Sequence, residues 1–346
     1  MMARLAEFDA VIDARSESEY AEDRLPGAIN WPSLNDAERH EVGTLYKQVS
    51  PFDAKKKGAA LVARNIGRHL ENTLLDKPRD WKPLIYCWRG GNRSGAMAHI
   101  LAKVGWQAVQ LDGGYKEYRR QVNQAMAELP ARFRFIVVCG TTGSGKSRLL
   151  QTLARHGAQV LDLEQLAAHR GSVLGHLPSE PQPSQKMFES RLWHGLQGFD
   201  PSRPVYVESE SKKVGNLRVP EALMEKIRAS ECVSVQLSQA DRVALLMEDY
   251  VHFVEAPQAL NVRLDCLAML YGRDKISHWQ QLALEGKMRP LVEELLTDHY
   301  DPAYNKSIRR NFTRFGDAMV LEIKDISAEA FDDAVTTLLA ADRGRS

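Results

Sequence analysis

The chain has 346 residues, of which 44% are hydrophobic and 26% are charged, and its formal net charge is +1. This composition is typical of a globular protein with a sizeable core, and the length favours two domains. Because the net charge is close to zero, contact with nucleic acid would need a local basic patch. No apolar run is long enough for a membrane span, and residues 1–13 lack the pattern of a signal peptide. We therefore expect no membrane association.

The cysteines are few and scattered, and none forms a CxxC pair. They are Cys87, Cys139, Cys232 and Cys266. This spacing predicts neither a disulfide framework nor a zinc site. We expect a cytoplasmic protein, since a reducing compartment keeps a reactive thiol free.

The first part of the chain, residues 1–125, alternates short apolar runs with helical segments. Residues 8–13 and 108–111 predict strands, and Ser16 and Glu19 have the spacing of a capping box at a helix start. This alternation favours a parallel α/β domain. The segment between Asn30 and Pro83 is predicted to be mostly helical, and the sequence leaves its role open.

A cysteine lies between a predicted strand, residues 83–86, and a predicted helix, residues 95–102. Backbone N–H groups of the Gly-Gly turn and two arginines should lower the pKa of Cys87 and favour a nucleophilic thiolate. The same loop can hold an anion such as thiophosphate or selenophosphate. A buried structural cysteine is the alternative, which the turn and the arginines disfavour. The predicted anion-binding residues are Arg89, Gly90, Gly91, Arg93 and Ser94.

The second predicted domain, residues 130–346, begins with an apolar strand and a glycine-rich loop. Residues 140–147 match the pattern GxxxxGKS between a predicted strand at 133–139 and a predicted helix. The glycines let backbone N–H groups approach phosphate, the lysine adds a positive charge, and Ser147 can hold Mg²⁺. A chance loop of this composition is the alternative, which the strand and helix context disfavours. The predicted phosphate-binding residues are Gly140, Gly143, Ser144, Gly145, Lys146 and Ser147.

Further polar residues follow predicted strands of this second domain. Asp162 and Glu164 close a predicted strand at 158–164, Arg170 comes shortly after, and Glu208 ends another strand. Ligands of open α/β sheets bind at the carboxyl ends of strands. For Asp162 and Glu164, ligand contact and helix capping explain the pattern equally well. We expect Glu164, Arg170 and Glu208 to belong to a second-domain site.

The chain after residue 239 is predicted to be largely helical, followed by a strand at 319–323 and a closing helix. A basic cluster lies in this part, with two aromatic residues interleaved. It consists of Tyr304, Lys306, Arg309, Arg310, Phe312 and Arg314. Such a pattern can bind an RNA backbone and stack bases, but a solvated helix face is the commoner explanation.

Residues 5–120 resemble rhodanese-type sulfurtransferases, which carry sulfane sulfur or selenium on a loop cysteine. The resemblance rests on Asp13-Ala14-Arg15, the Leu25–Asn30 turn, the Cys87 loop and Leu111–Gly114. A rhodanese loop followed by a P-loop resembles the tRNA 2-selenouridine synthase family over nearly the whole chain. The more specific matches are Cys87–Ser94, Gly140–Ser147, Leu163-Glu164, His169–Ser172 and Glu208–Ser211.

The second resemblance implies a transferase that acts on the wobble 2-thiouridine of tRNA. It implies an S-geranylated intermediate made from geranyl diphosphate, and selenium donated by selenophosphate from a selenophosphate synthetase. Cys87 would be catalytic, either carrying a perselenide or assisting the exchange, and Gly140–Ser147 would bind diphosphate. No tightly bound cofactor is expected, and Mg²⁺ would bind together with phosphate at residues 140–147.

Other functions are compatible with the same motifs. One is a small-molecule kinase with a rhodanese appendage, which would turn over nucleotide without RNA. Another is a rhodanese-type sulfurtransferase, and a third is a non-enzymatic scaffold whose two loops act as sensors. None of these explains why a reactive thiol loop and a phosphate loop share one chain.

Overall fold

The computed structural model describes residues 5–172, 175 and 180–343. The chain divides into two compact units. The first comprises Met1–Ala125 with Ser184–His194, and the second comprises Met126–Pro183 with Gly195–Ser346. The segment Ser184–His194 therefore lies with the first unit, although it follows the phosphate loop in the chain. Within that unit Ser190 Oγ donates to Asp23 at 3.0 Å, and the guanidinium of Arg119 lies 3.5 Å from the same carboxylate.

The first unit contains a parallel sheet of four short strands. They are β1 (Ala10–Asp13), β2 (Ala28–Asn30), β3 (Pro83–Tyr86) and β4 (Val109–Gln110). Their order is β2-β1-β3-β4, so the strand that leads to Cys87 lies inside the sheet. All residues of β3 are buried, which explains its continuous apolar run.

Helices follow the strands of this unit as the sequence predicted. Their bounds are Glu17–Glu22, Asp36–Gln48, Pro51–His69, Asn92–Val104 and Gly114–Glu128, with a π-helical turn at Leu70–Leu74. The capping box is confirmed, since the backbone N–H of Ser16 donates to the Glu19 carboxylate at 3.2 Å. The helical prediction for the segment between Asn30 and Pro83 is also confirmed.

The second unit contains a parallel sheet of five strands and a short antiparallel hairpin. In chain order the strands are β5 (Phe135–Cys139), β6 (Gln159–Leu161), β7 (Val205–Glu208), β8 (Lys213–Val214), β9 (Leu217–Arg218), β10 (Glu231–Gln236) and β11 (Met319–Glu322). The sheet order is β11-β10-β5-β7-β6, which places the strand of the phosphate loop at its centre. The hairpin of β8 and β9 was not predicted, because each of its strands has only two residues.

Helices pack around this sheet and form a separate helical region. The α-helices of this unit are Lys146–Arg155, Leu163–Ala167, Glu221–Arg228, Gln239–Asp249, Val251–Glu255, Pro257–Leu264, Ala268–Leu284, Met288–Leu295, Asp301–Asn311 and Ala328–Arg343, whereas the helix Gln185–Gln197 lies mostly in the segment that belongs to the first unit. Short 3₁₀ turns lie at Leu129–Arg132, Asp265–Leu267 and Phe315–Asp317, and a π-helical turn lies at Leu296–Tyr300. Within the described ranges, no helix combines the length and apolar character needed to cross a membrane.

The predicted fold class is confirmed: a rhodanese-like parallel α/β part precedes a P-loop α/β part that has a helical region. One core of the second unit lies against the sheet and includes Val138, Leu149 and Phe331. Another surrounds Trp279, which is fully buried among the helices. The predicted strand at 158–164 was too long, because Asp162 caps the helix Leu163–Ala167.

Candidate active sites in the two units

Cys87 follows β3 directly, at the point where the chain turns into the helix Asn92–Val104. Only 4% of its surface is exposed. The hydroxyl of Ser94, on the first turn of that helix, donates to Cys87 Sγ at 3.1 Å. Gln110 Nε2 donates in turn to Ser94 Oγ at 2.9 Å, so the sulfur is the end of a short hydrogen-bond chain.

The surroundings of Cys87 favour its ionised form. Burial alone would raise the pKa of a thiol, but here the Ser94 hydroxyl, backbone N–H groups of Ser94 and Gly91, and the charge of Arg93 oppose it. Their combined effect lowers the pKa of Cys87 below its ordinary value. The pKa is therefore shifted in the direction expected from the sequence, and Ser94 contributes to this shift directly.

Two glycines allow the cysteine loop to fold tightly. Gly90 has φ +66°, and a Cβ there would lie 2.7 Å from the carbonyl oxygen of Leu111. Gly114 has φ +55°, and a Cβ there would overlap the carbonyl oxygen of Cys87. Since side chains would strain the backbone and clash, both positions require glycine. Gly114 belongs to the turn after β4, so two separate parts of the chain shape this loop.

A buried polar network lies near the cysteine loop. The N–H of Tyr115 donates to the Cys87 carbonyl at 2.9 Å, and its ring lies 3.9 Å from the Arg15 guanidinium. Arg15 and Asp13 are fully buried and paired at 2.6 Å. Asp13 also accepts a hydrogen bond from Tyr86 at 2.7 Å. The Asp-Ala-Arg motif thus supports the cysteine loop from inside the unit.

The two arginines of the loop have different surroundings. Arg93 Nη1 lies 2.7 Å from Glu19, whose carboxylate is almost buried. That carboxylate also pairs with Arg39 at 3.2 Å. Arg89 is exposed and forms no ion pair with any described residue. An anion at this loop would meet Arg89 free, whereas Arg93 would have to share its charge with Glu19.

The phosphate loop runs from β5 to the helix Lys146–Arg155. Gly143 and Gly145 have φ values of +77° and +83°, which a residue with a side chain rarely adopts. A Cβ at Gly140 would lie 3.0 Å from the Val235 carbonyl on β10. The buried hydroxyl of Ser144 has no hydrogen-bond partner among the described residues. The glycines of the predicted phosphate loop therefore lie where a side chain would strain the backbone or clash with its neighbours.

The side chains of Lys146 and Ser147 donate hydrogen bonds to different acceptors. Lys146 Nζ donates to the carbonyl oxygens of Gly140 and Thr141, at 2.6 and 3.3 Å. Ser147 Oγ donates to Glu164 Oε2 at 3.0 Å. A cavity of about 380 Å³ opens above both residues. The phosphate loop, Glu164 and Arg170 all line it, so three of the predicted groups meet in one place.

Carboxylates cluster beside this cavity, although Glu208 does not line it. Glu208 is buried and accepts a hydrogen bond from the Glu164 N–H at 2.8 Å. Burial, together with the charges of Asp162, Glu164 and Glu210, raises the pKa of Glu208 well above its ordinary value. Glu210 lines the cavity instead, and burial beside Glu164 raises its pKa to about 8.

The structure decides between ligand contact and helix capping for Asp162. Its side chain accepts a hydrogen bond from the Gln165 N–H at 2.7 Å, which is helix capping. Arg170 lines the cavity, pairs with Asp249 at 3.2 Å and lies 5.0 Å from the Tyr250 ring. Within the described residues, no group of three or more His, Cys, Asp or Glu side chains has the geometry of a metal site.

Tyr304, which the sequence analysis placed in the basic cluster, and Arg242, which it did not single out, both contact the phosphate loop. The Tyr304 hydroxyl accepts a hydrogen bond from the Gly140 N–H at 2.6 Å, and its ring lies 5.6 Å from Lys146 Nζ. Arg242 donates to the carbonyl of Thr142 at 2.8 Å and pairs with Asp301 at 2.6 Å. This ion pair ties the helix that carries Tyr304 to the phosphate loop.

The predicted basic and aromatic cluster does not form one surface. Phe312 is buried, Tyr304 lies at the phosphate loop, and Arg314 is 3.5 Å from Glu231. This arrangement agrees with the commoner explanation, a solvated and partly packed helix, and both aromatic residues line the cavity above the phosphate loop. The basic side chains that remain exposed on the helix are Lys306, Arg309 and Arg310.

Two family models match the chain in the order of its two motifs. Residues 1–121 match the rhodanese-like domain, and residues 133–262 match the tRNA 2-selenouridine synthase AAA domain. Three curated relatives are each named tRNA 2-selenouridine synthase. The protein of Nitrosomonas europaea is 36% identical over 73% of this chain and 66% of its own length. The protein of Sulfurovum sp. is 31% identical over 90% of this chain and 93% of its own length. The protein of Alcanivorax borkumensis is 32% identical over 87% of this chain and 90% of its own length. The chain belongs to the tRNA 2-selenouridine synthase family.

Proposed function

We propose that this chain replaces the sulfur of wobble 2-thiouridine in tRNA by selenium, through an S-geranylated intermediate. The observation that carries the proposal is the presence of two glycine-containing loops with different chemistry in one chain, each at the end of a parallel strand. One holds a thiol of lowered pKa, and the other holds a lysine and two left-handed glycines at a helix N-terminus. Family membership supplies the substrate, since the named relatives modify tRNA.

The phosphate loop serves the first step. The thione sulfur attacks C1 of geranyl diphosphate, a carbon–sulfur bond forms, and the carbon–oxygen bond breaks to release diphosphate. The N3 proton of the base is lost to water, which leaves a neutral S-alkylated base. Lys146 and the loop N–H groups would leave their present partners and stabilise the charge on the departing oxygens. Alkylation turns the sulfur into a thiolate leaving group and makes C2 of the base electrophilic.

The cysteine loop serves the second step. The Cys87 thiolate attacks C2 and expels geranyl thiolate, and the selenium of selenophosphate then displaces the cysteine. Water takes up the phosphoryl group when the phosphorus–selenium bond breaks, so the sequence needs no oxidant or reductant. Arg89 is the exposed cation available to the phosphoryl oxygens. A selenophosphate synthetase in the same compartment, the cytoplasm, would supply the donor.

Mg²⁺ is compatible with the phosphate loop. Ser147 Oγ and Glu164 Oε2 lie 3.0 Å apart at the cavity, and Mg²⁺ commonly combines one such pair with phosphate oxygens and water. Ser147 and Glu164 would hold the ion, which would neutralise charge on diphosphate.

The test is mass spectrometry of tRNA nucleosides. Thiolated tRNA is incubated with geranyl diphosphate, with selenophosphate, and with both. We expect S-geranyl-2-thiouridine with the first alone and 2-selenouridine only with both. Rapid ATP hydrolysis that tRNA does not change, with no modified nucleoside, would favour the kinase instead.

A further inference from the structure

A second, apolar cavity adjoins the cavity above the phosphate loop. The two share wall residues from the loop and from the helical region. These shared residues are Thr142, Ser172, Leu246, Tyr250 and Tyr300. Thr142 belongs to the phosphate loop itself, so a ligand bound there can extend directly from one cavity into the other.

The rest of the second cavity is lined by hydrocarbon side chains. They are Met247, Phe253, Leu260, Met288, Leu291, Val292, Leu295 and Leu296. They belong to the helical region between Gln239 and Tyr300. Among the described lining residues, those with polar side chains all belong to the wall shared with the phosphate cavity.

This lining distinguishes between two kinds of diphosphate ligand. A nucleotide base needs donors and acceptors along its edges, because a base that leaves them unpaired loses hydrogen bonds to water. The residues beyond the shared wall provide no such side-chain groups. A hydrocarbon chain needs only apolar surface, and each buried methylene strengthens binding about fourfold.

We propose that this apolar cavity, whose volume is about 60 Å³, binds the terminal five carbons of the prenyl chain of geranyl diphosphate while the phosphate loop holds its diphosphate. The inference rests on the proposed function, and it adds a location for the chain and a set of residues that select its length. Leu246 and Thr142 lie where the two parts of the ligand meet. Val292 and Met247 line only the apolar part.

The proposal predicts an order of affinities for three diphosphates. In calorimetric titrations of the full chain, geranyl diphosphate should bind at least about tenfold more tightly than dimethylallyl diphosphate, which is five carbons shorter. Inorganic diphosphate should bind no more tightly than the dimethylallyl compound. Equal affinity for geranyl and inorganic diphosphate would overturn the proposal while leaving the diphosphate site intact. Absence of binding by all three would instead contradict the proposed function.

A matched pair of substitutions tests the location. Val292→Trp fills the cavity from a half-buried position, whereas Val262→Trp makes the same change on an exposed surface, where valine is 68% exposed. We expect Val292→Trp to weaken geranyl diphosphate binding at least about tenfold and to change inorganic diphosphate binding less than about twofold. Val262→Trp should change neither.

A milder variant covers the case in which Val292→Trp does not fold. Met247→Gln keeps a similar length and half-buried position while adding polar atoms to the cavity. It should weaken binding of geranyl diphosphate several-fold and leave inorganic diphosphate unaffected. A parallel loss for both ligands, or no loss for geranyl diphosphate in either folded variant, would overturn the proposal.

Discussion

At Cys87, local hydrogen bonds and burial shift the pKa of the thiol in opposite directions. A thiol with 4% of its surface exposed would ordinarily stay protonated, since burial penalises the thiolate. Ser94 changes this balance because its hydroxyl donates to the sulfur at 3.1 Å. Ser94, on the first turn of a helix, thus gives the largest of the contributions that lower the pKa of Cys87.

Substitution of Ser94 should therefore change the reactivity of the thiol. In Ser94→Ala the hydrogen bond to the thiolate is lost, so the pKa of Cys87 should rise. The pH profile of Cys87 alkylation, followed by peptide mass spectrometry, should move to higher pH. Ser202→Ala, at an exposed loop position of the second unit, is the control. If the profile has the same midpoint in both variants, a group other than the Ser94 hydroxyl lowers the pKa of Cys87.

Glu210 should make stability depend on pH. Burial raises its pKa to about 8 in the folded chain, against an ordinary value of 4.5. Between these values the folded state holds a proton that the unfolded state releases, so stability falls as pH rises. Glu210→Gln removes this proton uptake. The difference in free energy of unfolding between this variant and the unsubstituted chain should therefore grow in favour of the variant as pH rises to about 8.

Urea denaturation at several pH values between 5 and 9 measures this difference. Glu322→Gln, at an exposed strand position, should show no such growth. A constant difference between Glu210→Gln and the unsubstituted chain would mean that Glu210 is ionised throughout. The same titration should make any Mg²⁺ effect on diphosphate binding stronger at higher pH, because the cation favours ionised carboxylates.

At the scale of elements, the helix Asp301–Asn311 is the part that completes the phosphate site. Its first residue pairs with Arg242, which donates two hydrogen bonds to the Thr142 carbonyl. Tyr304, one turn further along, then reaches the Gly140 N–H. An ion pair on one side of the loop thus positions an aromatic side chain on the other.

Removal of Asp301 should loosen this attachment. Asp301→Ala leaves the almost buried guanidinium of Arg242 without its carboxylate, at a cost of about 2 kcal/mol in the free energy of unfolding. Binding of inorganic diphosphate should also weaken, since Thr142 and Tyr304 lose their support. Asp317→Ala, on an exposed turn, should cost less than about 0.5 kcal/mol. Unchanged stability in Asp301→Ala would show that Arg242 needs no carboxylate.

At the scale of the whole molecule, each unit carries one of the two candidate loops, and the proposed function assigns one chemical step to each. The thiol and its arginines belong to the first unit, and the phosphate loop with its cavities belongs to the second. Each loop is built at the carboxyl end of an inner parallel strand, which is where ligands of α/β sheets bind. This division predicts that the two activities can be lost separately.

Two substitutions should separate them. Cys87→Ala should abolish selenium incorporation and accumulate S-geranyl-2-thiouridine, because alkylation needs no thiolate. Lys146→Ala should lower geranylation by about two orders of magnitude, since the charge on departing diphosphate loses its cation. The Lys146→Ala variant should still convert tRNA that is already geranylated. Nucleoside mass spectrometry measures both products, and loss of both activities in a folded Cys87→Ala would contradict the division.

Local sequence was sufficient to predict the two loops and their strand–loop–helix context. β3 and β5 are continuous apolar runs, and the residues after them follow short-range patterns of glycine, lysine and serine. The capping box at Ser16 is equally local. These features depend on neighbours only a few residues away, so they can be recognised without knowledge of the fold.

Tertiary structure decided which distant side chains complete each site. Tyr304 meets Gly140 across 164 positions of the chain, and Arg242 meets Thr142 across 100. The apolar cavity likewise joins helices to a loop that lies far away in sequence. An apolar helix face has the same periodicity whether it fills a core or lines a cavity, because burial alone sets the pattern. Only the packing of the helices distinguishes the two.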